Sequence, residues 1–169
     1  MIPLEVAALD GATDEAFAAA LAPLFEGAPR FLARLAGARP FGDWGTLFWR
    51  ARSIAHAMTE SEQVELVDAH PRLGAPPGTV SKLSFGEQGY ARRPEIEIDV
   101  AAELERLNAA YEARFGFRYC VFVAGRPRAE LLPEMAVALR GDRRVELHRA
   151  LNAVVDIAMA RQTKLAEGS

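Results

Sequence analysis

Val100, Leu104, Leu107, Asn108, Tyr111 and Phe115 fall on one face of a helix, and Gly116 follows as a stop. A second long segment, from about Asp142 to Leu165, carries Leu147, Leu151, Val154, Ala158 and Leu165 on one apolar stripe. Two long amphipathic helices have to bury those stripes, and the rest of the chain supplies helices to do it. Thr13 can cap one, with Asp14 and Glu15 in its first turn, Phe17, Leu21, Leu24 and Phe25 at helical spacing, and Gly27 as its end. Pro29 opens a short helix carrying Phe31 and Leu35 to Gly37. Asp43 caps the next, with Trp44, Leu47, Phe48, Ala51, Ala55 and Met58 on its stripe and His56 on the surface. Thr59 and Glu62 have capping-box spacing, and that helix runs through Val64 and Val67 up to His70, where Pro71 disfavours helical geometry. Pro127 begins a helix with Leu131, Leu132, Met135 and Leu139, broken at Gly141. A short extended start precedes Thr13, and Tyr119-Cys120-Val121-Phe122-Val123 has the composition of a buried extended segment. The expected fold is an all-α, single-domain bundle of about seven to nine helices, with one short extended segment near 119–124.

The totals narrow the function. The 169 residues are half hydrophobic and one quarter charged, the balance of one ordinary globular core. A net charge of −3 provides no basic field for nucleic acid. One cysteine, Cys120, rules out a disulfide framework or thiolate zinc site, and three scattered histidines give no metal spacing. Neither a phosphate loop, a dinucleotide fingerprint nor a serine-hydrolase elbow occurs. The apolar runs are too short to span a bilayer. Met1-Ile2-Pro3-Leu4-Glu5 lacks a basic start and Glu167-Gly168-Ser169 is not a peroxisomal address, which makes the cytoplasm the expected location.

Three features carry potential chemistry. His70 stands at a helix end beside Pro71; the helix dipole favours a cationic histidine there, while polar company would suit it to general acid–base work. Ser84 and Glu87 have the spacing of a capping box, so both can simply start a helix, and such a cap would also present a fixed polar array. Arg161 falls between Ala158 and Leu165, near the middle of the apolar stripe. Its stem can pack while the guanidinium reaches water, or the charge is kept inward to meet an anionic group. Cys120 reads as a small buried hydrophobe, and Arg140, Arg143, Arg144 and Arg149 as a solvated face.

Arg39-Pro40-Phe41, Ala69-His70-Pro71-Arg72-Leu73-Gly74, Ser84-Phe85-Gly86-Glu87-Gln88, Leu107-Asn108-Ala109-Ala110-Tyr111 with Arg114-Phe115-Gly116-Phe117, Gly125-Arg126 and Ile157-Ala158 with Arg161 follow one another across nearly the whole chain. In order and spacing they resemble the 2-oxo-4-hydroxy-4-carboxy-5-ureidoimidazoline (OHCU) decarboxylases of uric acid breakdown. That resemblance implies an all-helical enzyme, often a homodimer, that needs no cofactor and turns an anionic cyclic ureide into (S)-allantoin. It implies His70 and Glu87 as catalytic residues. Pro71, Ser84, Gln88, the segment Val121, Phe122, Val123, Ala124 and Gly125, and Arg161 would then surround the substrate. The chain departs from the family pattern at Arg72, in the short proline-rich loop Ala75-Pro76-Pro77-Gly78, at Gly89-Tyr90-Ala91-Arg92-Arg93 and at Phe117-Arg118-Tyr119. A paralogue acting on a related cyclic ureide, and a helical binding module without turnover, are the alternatives.

Overall fold

Nine helices form among residues 2–75, 81–87 and 98–168, the part of the chain that the computed structural model describes: α1 (Val6–Asp10), α2 (Asp14–Phe25), α3 (Pro29–Ala36), α4 (Trp44–Ala57), α5 (Glu60–Asp68), α6 (Lys82–Glu87), α7 (Ile98–Phe115), α8 (Arg128–Ala138) and α9 (Arg143–Glu167). No strand occurs among the described residues, so the expected all-α class holds. The stretch before Thr13, expected to be extended, instead forms α1, which buries Val6 and Leu9. None of the nine helices is long and apolar enough to cross a membrane.

The helix starts follow the side chains that satisfy free backbone N–H groups. Thr13 accepts from Ala16 N at 3.2 Å, Asp43 from Thr46 N at 2.7 Å, and Asp142 from Arg144 N and Val145 N. Thr59 and Glu62 form the full capping box. The core assembles around α9, which packs against α2, α4 and α5, while α7 packs against α8. Between Glu146 and Arg161 far more of α9 is buried than a single stripe: Ala150, Leu151, Val154, Val155 and Ala158 are all inside. Small alanines let neighbouring helices close on several sides, so the Arg161 position is interior. Leu165, assigned to the same stripe, is exposed.

Two surface assignments change. His56 is half-buried, its Nε2 lying 2.9 Å from Asn152 Oδ1, with its ring edge-on to His148. Arg149 is partly buried rather than fully solvated: it is forked on the buried Glu146, which also accepts from Tyr111 Oη at 2.8 Å. Its Nη1 donates to Cys120 O at 2.9 Å. That contact ties the non-helical 119–124 segment to α9, with Tyr119, Cys120 and Val123 buried.

Candidate active site

The last turn of α5 holds His70 in one state. Its imidazole Nδ1 is 3.2 Å from Leu66 O, one helical turn back. A carbonyl only accepts, so Nδ1 carries the proton and Nε2 is left with a lone pair. Nε2 is buried and meets no partner among the described residues. The backbone around it is pinned from three directions. Arg118 Nη1 donates to Asp68 O at 2.9 Å and His70 O at 3.2 Å, and Asn108 Nδ2 donates to Leu73 O at 2.9 Å. Arg72 pairs with Glu105 and Glu112 of α7. Gly74, at φ +80°, makes the next turn against Leu104, where a β-carbon would come within 3.1 Å of that side chain. Two departures from the family pattern, Arg72 and Arg118, thus serve as struts behind the histidine. The other two lie largely or wholly outside the described residues.

Burial pushes the His70 imidazole down to about 4, helped by the Arg161 charge and opposed by that of Glu26. The unfolded chain protonates this group near pH 6.5 and the folded chain near 4. The stabilisation is therefore complete above pH 6.5 and is lost as pH falls toward 4. Urea unfolding between pH 6.5 and 5 should show stability declining with acidity, by roughly 1.4 kcal/mol per pH unit at its steepest. His70→Asn should remove most of that slope. An unchanged slope in the variant would mean that His70 does not titrate as its burial requires.

Opposite the histidine stands a buried ionic cluster. Arg161, 1% exposed, donates from Nε to Glu87 Oε1 at 2.8 Å and from Nη2 to Glu87 Oε2 at 2.9 Å, a two-toothed grip. Nη2 also reaches Glu26 Oε1 at 2.8 Å and Ser84 Oγ at 3.0 Å, and Nη1 reaches Pro23 O at 2.9 Å. The guanidinium thereby takes up carbonyls at the C-terminus of α2 that have no helical donor. Of the two readings of Arg161, the inward one holds, and the anions that it meets are the chain's own carboxylates.

Ser84 and Glu87 do not form a capping box. The N-terminal cap of α6 is Ser81, whose Oγ accepts from Ser84 N at 3.1 Å, so Ser84 sits inside the helix and Glu87 at its last position. Their side chains are thereby free for the cluster. Ser84 Oγ donates to Glu26 Oε1 at 2.6 Å, and Ser81 Oγ does so at 2.9 Å. Burial works to raise the Glu26 carboxyl, but the Ser84 hydrogen bond, the Arg161 charge and the Ser81 hydrogen bond together hold it below its ordinary value.

His70, Pro71, Ser84, Glu87, the segment 121–125 and Arg161 all line one cavity of about 250 Å³. Gln88 lies outside the described residues. The 121–125 loop is fixed through its carbonyls: Arg126 Nη2 takes Phe122 O at 2.9 Å and its Nε takes Val123 O at 3.0 Å. Ala124 and Gly125 both have positive φ, 53° and 74°, which folds the loop back on itself. No backbone N–H from Val121 to Gly125 finds an acceptor among the described residues, which leaves donors for a ligand. Sequence reasoning missed one stretch of the cavity wall and one member of the ionic cluster. Ile157, Ala160 and Lys164 line the cavity beside Arg161; the offsets of −4 and +3 put Ile157 and Lys164 on its helical face, and Ala160 flanks it. Glu26 is the other. It occupies the left-handed C-cap of α2 at φ 53°, where glycine is usual, and the acid directly before Gly27 was its one visible sign.

The OHCU decarboxylase family model matches residues 10–163. The chain is 30% identical over 145 residues to the mouse (Mus musculus) 2-oxo-4-hydroxy-4-carboxy-5-ureidoimidazoline decarboxylase, covering 84% of this chain and 82% of that protein. It is also 30% identical over 141 residues to the uric acid degradation bifunctional protein PucL of Bacillus subtilis (strain 168). That match covers 83% of this chain, which spans 28% of the bifunctional protein's length. In fold it is similar to an OHCU decarboxylase crystallised in the presence of (S)-allantoin, with a TM-score of 0.70 at 22% identity over 91% of this chain and 98% of the other. A family match over nearly the whole chain places this protein in the OHCU decarboxylase family.

Proposed function

We propose that the chain removes the carboxylate of 2-oxo-4-hydroxy-4-carboxy-5-ureidoimidazoline to give (S)-allantoin. The observation that carries this is a buried, neutral histidine whose Nε2, without a partner among the described residues, belongs to a side chain lining the same small cavity as a carboxylate gripped by an arginine. The substrate's name puts hydroxyl and carboxylate on one ring carbon, next to the carbon bearing the ureido group. When the bond to the carboxylate breaks, CO₂ leaves and the electron pair forms a double bond between those two carbons, passing on to the ring nitrogen of the C=N, which takes up a proton. The resulting enol becomes the product carbonyl when its hydroxyl proton moves away and a proton reaches the neighbouring carbon.

His70 suits that second step. Its neutral Nε2 accepts the hydroxyl proton and returns one to the adjacent carbon from a single side, which gives one product hand. Glu87, its orientation fixed by Arg161, receives N–H groups of the ring or ureido arm. The free N–H groups of the 121–125 loop suit a substrate carbonyl whose charge grows during reaction. The substrate supplies its own electron sink, so binding, orientation and proton transfer are what the protein has to add.

The test is to generate the substrate freshly from urate and follow (S)-allantoin by circular dichroism. The expected result is a protein-dependent rate above the spontaneous one, with the S product in excess. No acceleration at high protein concentration would overturn the proposal in favour of a binding module. Acceleration of a related cyclic ureide alone would replace the substrate.

A further inference from the structure

Resting on that reading, we propose that Lys164 is the residue that binds the substrate carboxylate. Arg161 is the obvious cation, yet all three of its nitrogens already donate to protein acceptors, Nη1 to Pro23 O and, at 3.4 Å, Leu24 O. It is outnumbered as well, since Glu26 and Glu87 both pair with it. With His70 neutral, the buried cluster carries one net negative charge. A carboxylate entering there would meet repulsion, and its own charge would lack a partner as water is displaced.

Lys164 answers that deficit. It lines the same cavity, three residues beyond Arg161 on the same face of α9. The rise between the two is about 4.5 Å, and Lys164 is exposed where Arg161, His70 and Ser84 are buried, so the lysine belongs to the solvent side of the cavity wall. No ion pair or side-chain hydrogen bond engages Lys164 among the described residues. A lysine in the last turn of a helix also favours the dipole, but that explains neither its place on the cavity wall nor its lack of an acidic partner. Adding its charge brings cavity and cluster to zero. An anionic ring can then lie with its carboxylate at the mouth and its reacting carbons toward His70. The cleaved CO₂ would be released on the solvent side.

Kinetics on wild type, K164Q, K164E and K164R would test this. K164Q is expected to raise KM for the freshly made substrate about tenfold, the worth of one charge-assisted contact, with kcat altered less than about threefold. K164E should raise KM further, K164R should restore it, and added salt should raise KM in wild type more than in K164Q. The inhibition constant of (S)-allantoin, the neutral product lacking the carboxylate, should stay the same in all four. Unchanged KM in both K164Q and K164E would overturn the inference while leaving the decarboxylase reading intact. A parallel loss of substrate and allantoin binding would also overturn it, by pointing to a disturbed wall rather than a missing charge. A wild-type protein that gives no acceleration overturns both readings.

Discussion

His70→Asn should lower kcat by roughly 10²- to 10⁴-fold while leaving the fold in place. Asparagine is chosen because its amide can occupy the Nδ1 position and donate to Leu66 O as the imidazole does at 3.2 Å. What it lacks is Nε2, the one ring atom with no partner among the described residues. The substitution therefore removes the lone pair proposed to move the proton and keeps the contact that ends α5. Wild-type kcat/KM should hold down to acid pH and fail near the value of about 4 to which burial pushes the imidazole, since the neutral form is the one that accepts. Circular dichroism and a thermal melt at pH 7 would check the fold, and single-turnover kinetics the chemical step. A kcat within threefold of wild type in a folded His70→Asn protein would end His70's assignment as base.

How much of this site could be read from residues alone depended on whether a local pattern or a distant contact decided it. The C-terminus of α5 was legible because Pro71 acts on its immediate neighbour, and the starts of α2, α4, α5 and α9 because their caps lie within three residues. Helical spacing put Arg161 on the apolar stripe but left a snorkelling and an inward guanidinium both open, because the partners that decide it come from α2 and α6, far away in sequence. Arg149 looked solvated for the same reason: its partial burial depends on Glu146, itself held by Tyr111, and on Cys120 O, which come from separate elements. Glu26 went unseen because the left-handed turn that aims it inward is a conformation usually given to glycine. Ser84 and Glu87 illustrate the opposite failure. A good local motif was present, but Ser81, three residues earlier, took the cap and released both side chains to the cluster.

That cluster makes Arg161→Met the substitution with the largest expected cost to stability. Methionine fills much of the volume, so packing alone would not account for a large loss. What changes is that Glu26 and Glu87, 13% and 18% exposed at their side chains, lose the charge between them. Removing one partner of a buried ionic group costs about 3–5 kcal/mol, because the remaining charge is neither paired nor hydrated. Loss of the donor to Pro23 O adds to this in the same direction. Against a total stability of about 5–15 kcal/mol, the variant should be marginal at pH 7, with its melting point lower by about 10 °C. Two further measurements separate charge from shape. The deficit should shrink between pH 7 and 5, as the stranded carboxylates become able to take up protons, and Arg161→Met with Glu26→Gln should be more stable than Arg161→Met alone. Arg161→Lys should fall in between, because an ammonium keeps the charge but cannot grip both oxygens of Glu87 while reaching α2. If Arg161→Met costs less than 1 kcal/mol at pH 7, the guanidinium is not the keystone of the carboxylates. The fixed orientation claimed for Glu87 would then have to come from the substrate itself.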